Sequence, residues 1–345
     1  MSSAHITFDT TGDKIARRVR KMRPSAVRNL FAAATRDDVI SLSGGMPAVS
    51  LLPEEDIRRA TLAAIESPEA RAVSLQYGPT DGLAELHAAG DFEREGREAA
   101  AVLADMMRDL GIRVKADQVL VTTGAQQALT LIAEAFIDPD DIIITEGPTY
   151  LGALQAFSAF EPDVRAIPFD EDGMRMDLLE EELKRIGKDN PRLKFCYTIP
   201  NFQNPGGVTM TAERRRRLLE LAHEYNFMVV EDDPYGRLRY DGGHQVPLKA
   251  MDDSVIYLGT ISKMLGPGLR TGWIAAPEAV LARINLVKQG ADLCGSAFDQ
   301  LVVQHYFADV AWQRTLQKFI KTYGERRDAM LAALQEYFPP EASWT

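Results

Sequence analysis

The stretch LKFCYTIPNFQNPGGVTMTAERRRRLLELAHEYNFMVVEDDPY, residues 193–235, sets the architecture. Leu193–Thr198 and Phe227–Glu231 are short, mainly apolar runs without polar alternation, the pattern of strands buried on both faces. Between them, Ala212–Tyr225 carries apolar residues at helical spacing. Strand, helix and strand in that order indicate a mainly parallel sheet covered by helices. Such sheets take their ligands beyond the carboxyl ends of the strands. Chemistry is therefore expected in the loops NFQNPGG and DDPY and in their counterparts elsewhere.

The same pattern continues outward. Val119–Thr122, Ile142–Thr145, Val164–Ile167, Val255–Leu258 and Trp273–Ala275 read as strands, and Gly124–Ile137 and Asp177–Ile186 as helices. After Pro277 the pattern turns almost wholly helical, over Val280–Gln289 and Ala297–Tyr337. Upstream, Pro24–Thr35 reads as a helix and Val39–Leu42 as a strand running into Gly44, Gly45 and Pro47. There is no internal repeat.

Composition bounds the function. At roughly 150 residues per domain, a chain of 345 residues suggests two domains. Hydrophobic residues at 46% and charged residues at 26% exclude a largely disordered chain. A net charge of −11 makes a poor nucleic-acid binder. The basic run Arg214–Arg217 is followed by Glu220 and Glu224 and is expected to be a solvated helix face. Cys196 and Cys294 form no pair motif, the usage of a reducing compartment. No signal-type or membrane-length apolar run is present, so a cytoplasmic location with no membrane partner is expected. The five histidines lack metal-binding spacing, and P-loop, GxSxG and GxGxxG motifs are absent.

The strand-end loops carry what chemistry there is. Val255–Gly259 ends in TISKMLGPGLR, residues 260–270. The hydroxyls of Thr260 and Ser262 and the guanidinium of Arg270 suit a phosphate dianion. Lys263 suits Schiff-base chemistry if its surroundings lower its pKa, while a surface lysine is the plainer alternative. Val119–Thr122 runs into Thr123, Gly124, Ala125 and Gln126, where N–H groups at a helix start either seat a phosphate or merely begin the helix. Tyr150, just past the next strand, is placed either to stack on a flat ligand or to pack. Asn204, extended before Pro205, donates to a ligand oxygen or forms a turn. Glu231, Asp232 and Asp233 close an apolar strand, where carboxylates are costly unless a cation or donor meets them. Helix capping accounts for Asp233 alone.

Taken singly, each loop has a bland account. Together they call for one ligand with a phosphate, a flat ring, a ring nitrogen facing an acid, a phenolic oxygen facing Asn and Tyr, and an aldehyde facing Lys. Pyridoxal 5′-phosphate carries all of these.

The motifs SLSGGMP, LQYGPTDGL, VTTGAQQAL, EGPTYLGALQAF, IPNFQNPGG, EDDPYGRL, GTISKMLGPGLRTGW and KQGADL together resemble the class I/II aminotransferases, pyridoxal-phosphate enzymes of fold type I, over nearly the whole chain. They are most similar to a subgroup acting on 2-aminoadipate, aromatic, branched or dicarboxylic amino acids. The resemblance implies an α/β fold, a three-layer sandwich with a mostly parallel sheet. Residues 46–285 would form the large cofactor domain, residues 1–45 an N-terminal arm and helix joining the small domain, and residues 286–345 the start of a C-terminally incomplete small α+β domain. It implies transfer of an amino group from an L-amino acid to a 2-oxo acid such as 2-oxoglutarate. A β-lyase or decarboxylase on the same scaffold and an aminotransferase-like ligand-sensing module are the alternatives, because the core motifs do not separate them.

By matching motif, Lys263 resembles the Schiff-base lysine that also moves the substrate proton, and Asp232 the partner of the ring nitrogen. Tyr235 and Asn204 resemble the donors to the ring oxygen, and Tyr150 the stacking aromatic. Gly124, Ala125, Gln126, Thr260, Ser262 and Arg270 resemble the phosphate cradle. Tyr77 matches a tyrosine that reaches the phosphate of a neighbouring subunit, which implies a homodimer with shared sites. Gly44 and Gly45 match the loop over the substrate, and Arg28 matches an arginine that meets an acidic substrate side chain. Two features depart from the family. Leu86–Gly111 is longer than the usual single helix and reads as an insertion near the dimer or entrance side. The arginine that grips the substrate α-carboxylate has no counterpart, so the chain is expected to be a fragment.

Overall fold

The computed structural model describes residues 14–20, 22, 38–39, 45–83, 99–243 and 245–344. Eight strands form one sheet: β1 (Val119–Thr122), β2 (Ile142–Gly147), β3 (Asp163–Asp170), β4 (Gly173–Met174), β5 (Leu193–Thr198), β6 (Met228–Asp232), β7 (Ile256–Thr260) and β8 (Gly272–Ala275). Their spatial order is β1-β8-β7-β6-β5-β2-β3-β4. The pairs β2–β3, β2–β5, β5–β6 and β6–β7 are parallel. β8 is antiparallel to both of its neighbours, β1 and β7. β1 therefore runs in the same direction as β7, and the carboxyl ends of β1, β2, β5, β6 and β7 share one edge. β8 begins at that edge, with Gly272 in register with both Thr122 and Thr260.

The apolar runs are buried on both faces because helices cover both. Ile143, Phe195, Tyr197, Val230 and Leu258 pack with α4 (Ala125–Phe136), α5 (Leu151–Ser158) and α8 (Glu278–Ala291). On the opposite face, Val119, Val121 and Trp273 meet α1 (Glu54–Ala63), α3 (Ala99–Arg108) and α9 (Ala297–Asp309). Further along that face, Ile144, Cys196 and Val229 meet α6 (Met176–Ile186) and α7 (Ala212–Tyr225). These are the three expected layers. The short helix α2 (Pro68–Ser74) leads towards the loop of Tyr77, and α10 (Trp312–Tyr337) is the last helix of the described residues. No helix among the described residues is long and apolar enough to cross a membrane.

Several expectations are corrected. The arginine run is not a uniform solvated face. Arg215 is fully buried and donates to the carbonyls of Met210, Pro200 and Val246. It lies one turn before Leu218 and Leu219 on the inward stripe of α7, so helical periodicity draws it in. The second half of the Leu86–Gly111 segment is core rather than a peripheral insertion: Leu103, Met107 and Leu110 of this stretch pack in the cluster that holds Trp273. Its first half, 86–98, lies outside the described residues, as do Pro24–Thr35 and most of Val39–Leu42. The single helical run Ala297–Tyr337 is two helices, broken between Asp309 and Trp312. Both cysteines are free thiols.

Candidate active site

Three acids close β6, and strand alternation separates them, since successive side chains point to opposite faces. Glu231 accepts the backbone N–H groups of Leu248 at 3.0 Å and Lys249 at 2.8 Å. Asp233 accepts Asn201 Nδ2 at 2.9 Å, the Gly236 N–H at 3.0 Å and Tyr257 Oη at 3.2 Å. Asp232 turns the other way. Tyr197 Oη donates to its Oδ2 at 2.7 Å, and nothing among the described residues donates to its Oδ1. Burial, reinforced by the charges of Asp233 and Glu146, pushes its pKa up to about 7 against the Tyr197 hydrogen bond. A buried carboxylate with one oxygen unmet suits a cationic or N–H partner.

Past β7 the chain turns through Ile261–Leu265, and Lys263 projects half-buried from that turn. Its Nζ donates to the Gly45 carbonyl at 3.0 Å and stands 5.9 Å from the ring centre of Tyr235. Burial lowers its pKa, which enlarges the share of neutral, nucleophilic amine. Tyr235 is pushed up to about 12 by burial and then by the charge of Asp232, against a hydrogen bond with Asn204. Tyr150 is raised by burial and by Asp232 and lowered by Arg270. These mutual influences gather Tyr150, Asn204, Asp232, Tyr235 and Lys263 around one space, with Arg270 at its border.

That border is built for an anion. Helix α4 begins after Gly124 with no side-chain cap, so its first N–H groups lack intrahelical acceptors. Gly124 has φ +76°, and a Cβ there would lie 2.5 Å from Arg270 Nη2. Arg270 Nη2 also donates to the Thr123 carbonyl at 3.3 Å. Gly272 approaches just as closely, since a Cβ on it would lie 2.7 Å from Ala125 N. Thr260 Oγ1 donates to Ser262 Oγ at 2.9 Å and accepts the Ser262 N–H at 3.1 Å. A guanidinium, an uncapped helix start and two hydroxyls make a phosphate donor set. Gln126 turns its side chain away, donating to the Gly152 carbonyl at 2.9 Å, so it offers only its backbone N–H.

The fold thus brings Gly45, Gly124, Ala125, Gln126, Tyr150, Asn204, Asp232, Tyr235, Thr260, Ser262, Lys263 and Arg270 to one edge of the sheet. Tyr77 is not enclosed: it is 78% exposed. Its loop is held by Thr80 Oγ1, which donates to the Leu293 carbonyl at 2.7 Å. Arg28 and Gly44 lie outside the described residues. Among the described residues, no group of His, Cys, Asp and Glu could hold a metal ion.

Sequence reasoning passes over two supporting groups. Tyr197 is one, and a tyrosine inside an otherwise apolar strand signals a hidden hydroxyl partner. Glu146 is the other. It is buried and accepts from Thr198 Oγ1, the Ile199 N–H at 3.1 Å and Gln203 Nε2 at 3.4 Å. Gln203 in turn accepts the Gly206 N–H at 2.7 Å, which braces the loop of Asn204. Burial pushes Glu146 up to about 7. Beside Lys263 opens a cavity of about 240 Å³ whose walls include Met46, Phe202, Leu238, Tyr240 and Tyr323.

Comparison with known proteins agrees with this geometry. A family model described as aminotransferase class I and II matches residues 38–344. Aromatic-amino-acid aminotransferase 1 of Thermococcus litoralis is 45% identical over 94% of this chain and 75% of its own length. The 2-aminoadipate transaminase of Thermus thermophilus is 36% identical over 94% of this chain and 77% of its own. The crystal structure of Pyrococcus horikoshii kynurenine aminotransferase, in complex with PMP, superposes with TM-score 0.87 at 40% identity, over 98% of this chain and 81% of that one.

Proposed function

The chain belongs to the class I and II aminotransferases and is an enzyme of amino-group transfer; from that premise we propose that it holds pyridoxal 5′-phosphate between Lys263 and Asp232 and uses an aromatic L-amino acid as donor. The observation that carries the cofactor reading is the pairing of a half-buried amine, stabilised in its neutral form, with a buried carboxyl group whose Oδ1 meets no donor among the described residues. The residues present fit the group: the uncapped α4 start, the Cβ-free surface of Gly124 and the guanidinium of Arg270 form a seat for its phosphate. Bound there, the cofactor supplies an aldehyde for the amino group and a cationic ring that draws electron density from the substrate carbon.

The chain's own residues do the rest. Asp232 would be the partner of the ring nitrogen and would keep its proton in place. A cation there favours the ionised carboxylate, reversing the shift that burial imposes. Asn204 Nδ2 and Tyr235 Oη would donate to the ring oxygen, and Tyr150 would stack on the ring. Lys263 Nζ would take the proton released by the substrate α-carbon and pass it to the carbon that carried the cofactor's aldehyde. The N–H groups of Ala125 and Gln126, with Thr260, Ser262 and Arg270, hold the phosphate. Tyr77 of a second copy completes that seat in a homodimer.

The cavity beside Lys263 supports the choice of donor. Its walls are aromatic and apolar, and Lys263 is the one cation among its described lining residues. Arg327, close by, is engaged with Asp241 and the Tyr240 ring. The name of the Thermococcus litoralis relative points the same way. The test is a panel of L-amino acids with 2-oxoglutarate and added pyridoxal 5′-phosphate. Aromatic donors should exceed 2-aminoadipate in kcat/KM, and Lys263→Ala should lose roughly 10²–10⁴-fold or more of the rate. Full-rate transfer by Lys263→Ala removes the catalytic assignment, and a preference for acidic donors removes the pocket reading.

A further inference from the structure

Helix α8 ends in an arrangement that local preferences oppose. Lys288 has a fully buried side chain, and its Nζ donates to both carboxylate oxygens of Asp292, at 2.9 and 3.1 Å. Asp292 is the C-cap of the helix, where the dipole is unfavourable to an acid. A buried ammonium is tolerated only when paired. Conflicts of this kind concentrate at functional sites, and following the contacts outward shows what this one serves.

Asp292 Oδ2 accepts Gln127 Nε2 at 2.6 Å, and Gln127 Oε1 accepts the Thr123 N–H at 2.7 Å. The orientation of that amide is fixed by its partners, because the carboxylate requires a donor and the N–H an acceptor. The carbonyl of Thr123 receives Arg270 Nη2 at 3.3 Å. Thr123 is therefore gripped at both ends. The next residue is Gly124, beneath Arg270, and after it come the opening N–H groups of α4. A chain of polar contacts runs from a buried lysine in one helix to the donors of the anion seat on another.

We propose that Lys288, Asp292 and Gln127 form a positioning relay that fixes the Thr123–Gly124 turn and the Arg270 guanidinium, and thereby sets how tightly the cofactor phosphate is held. The relay rests on the assignment of that seat made above. None of the three side chains needs to touch the cofactor. Their effect passes through the Thr123 peptide, and a seat displaced by a fraction of an ångström loses hydrogen-bond strength steeply.

Gln127→Met tests this in the full chain, because the side chain keeps its length but neither accepts from Thr123 nor donates to Asp292. The variant, Asp292→Ala and the double variant are titrated with pyridoxal 5′-phosphate and with pyridoxal, which lacks the phosphate, and their thermal midpoints are recorded. Each single change should weaken pyridoxal 5′-phosphate about tenfold and leave pyridoxal within about twofold, and the double variant should be no weaker than the worse single one. Unchanged pyridoxal 5′-phosphate affinity in a folded Gln127→Met protein overturns the relay. Equal weakening of both ligands overturns it too, because that reports general loosening. A wild-type protein that binds pyridoxal as tightly as its phosphate ester overturns the seat itself, a separate result.

Discussion

Glu146 gives the site a pH signature of its own. Burial raises its pKa from about 4.5 to about 7, against hydrogen bonds from Thr198, Ile199 and Gln203. Between those values the folded chain binds more protons than the unfolded one, so this group's contribution to stability falls as pH rises. Glu146→Gln has no such titration, and its amide group meets the same partners once the Thr198 hydroxyl turns to accept. The melting temperature of the variant minus that of wild type, measured without cofactor, should therefore increase from pH 5 to pH 8. A flat difference would show that Glu146 does not titrate there. The sequence displays Lys263, Asp232, Tyr235 and Asn204 because each sits at a strand end with a residue type that its chemistry demands. It does not display Glu146 or Tyr197 as supports. Their partners come from neighbouring strands, and the order β6-β5-β2 is a property of the sheet rather than of any one segment.

Among the elements, β8 decides how Arg270 reaches the seat. The strand runs against its neighbours, so the residues before it lie at the edge where the parallel strands end. Gly124 leaves room for the guanidinium. Gly124→Ala would force a Cβ into a left-handed backbone position and against Arg270. It should destabilise the chain by about 1–2 kcal/mol, readable by urea unfolding, and weaken pyridoxal 5′-phosphate more than pyridoxal. Equal affinities for both ligands in wild type and variant would show that the guanidinium does not depend on this turn. Most elements are legible from periodicity, and Ala212–Tyr225 is found with the bounds read from the sequence. β4 is not legible, because Gly173–Met174 is two residues long and exists only by pairing with Phe169 and Asp170. Arg215 was within reach of helical spacing, but its charge argued for solvent more loudly than its position argued for the core.

At the scale of the molecule, three layers follow from two facts visible in the sequence: strands apolar on both faces, and helices between them. Where neighbouring copies meet is not written in the apolar pattern of a single chain. We propose Tyr77 as the meeting point, an aromatic side chain left 78% exposed on a loop that Thr80 ties to Leu293. On that proposal, a phosphate seat finished by another copy would make retention of the coloured group a function of how dilute the solution is. Holoprotein taken from micromolar to nanomolar levels should bleach progressively and regain its absorbance on reconcentration, and Tyr77→Phe should shift that midpoint upward. Colour that survives dilution unchanged, with the variant indistinguishable, would mean that each chain keeps its vitamin unaided.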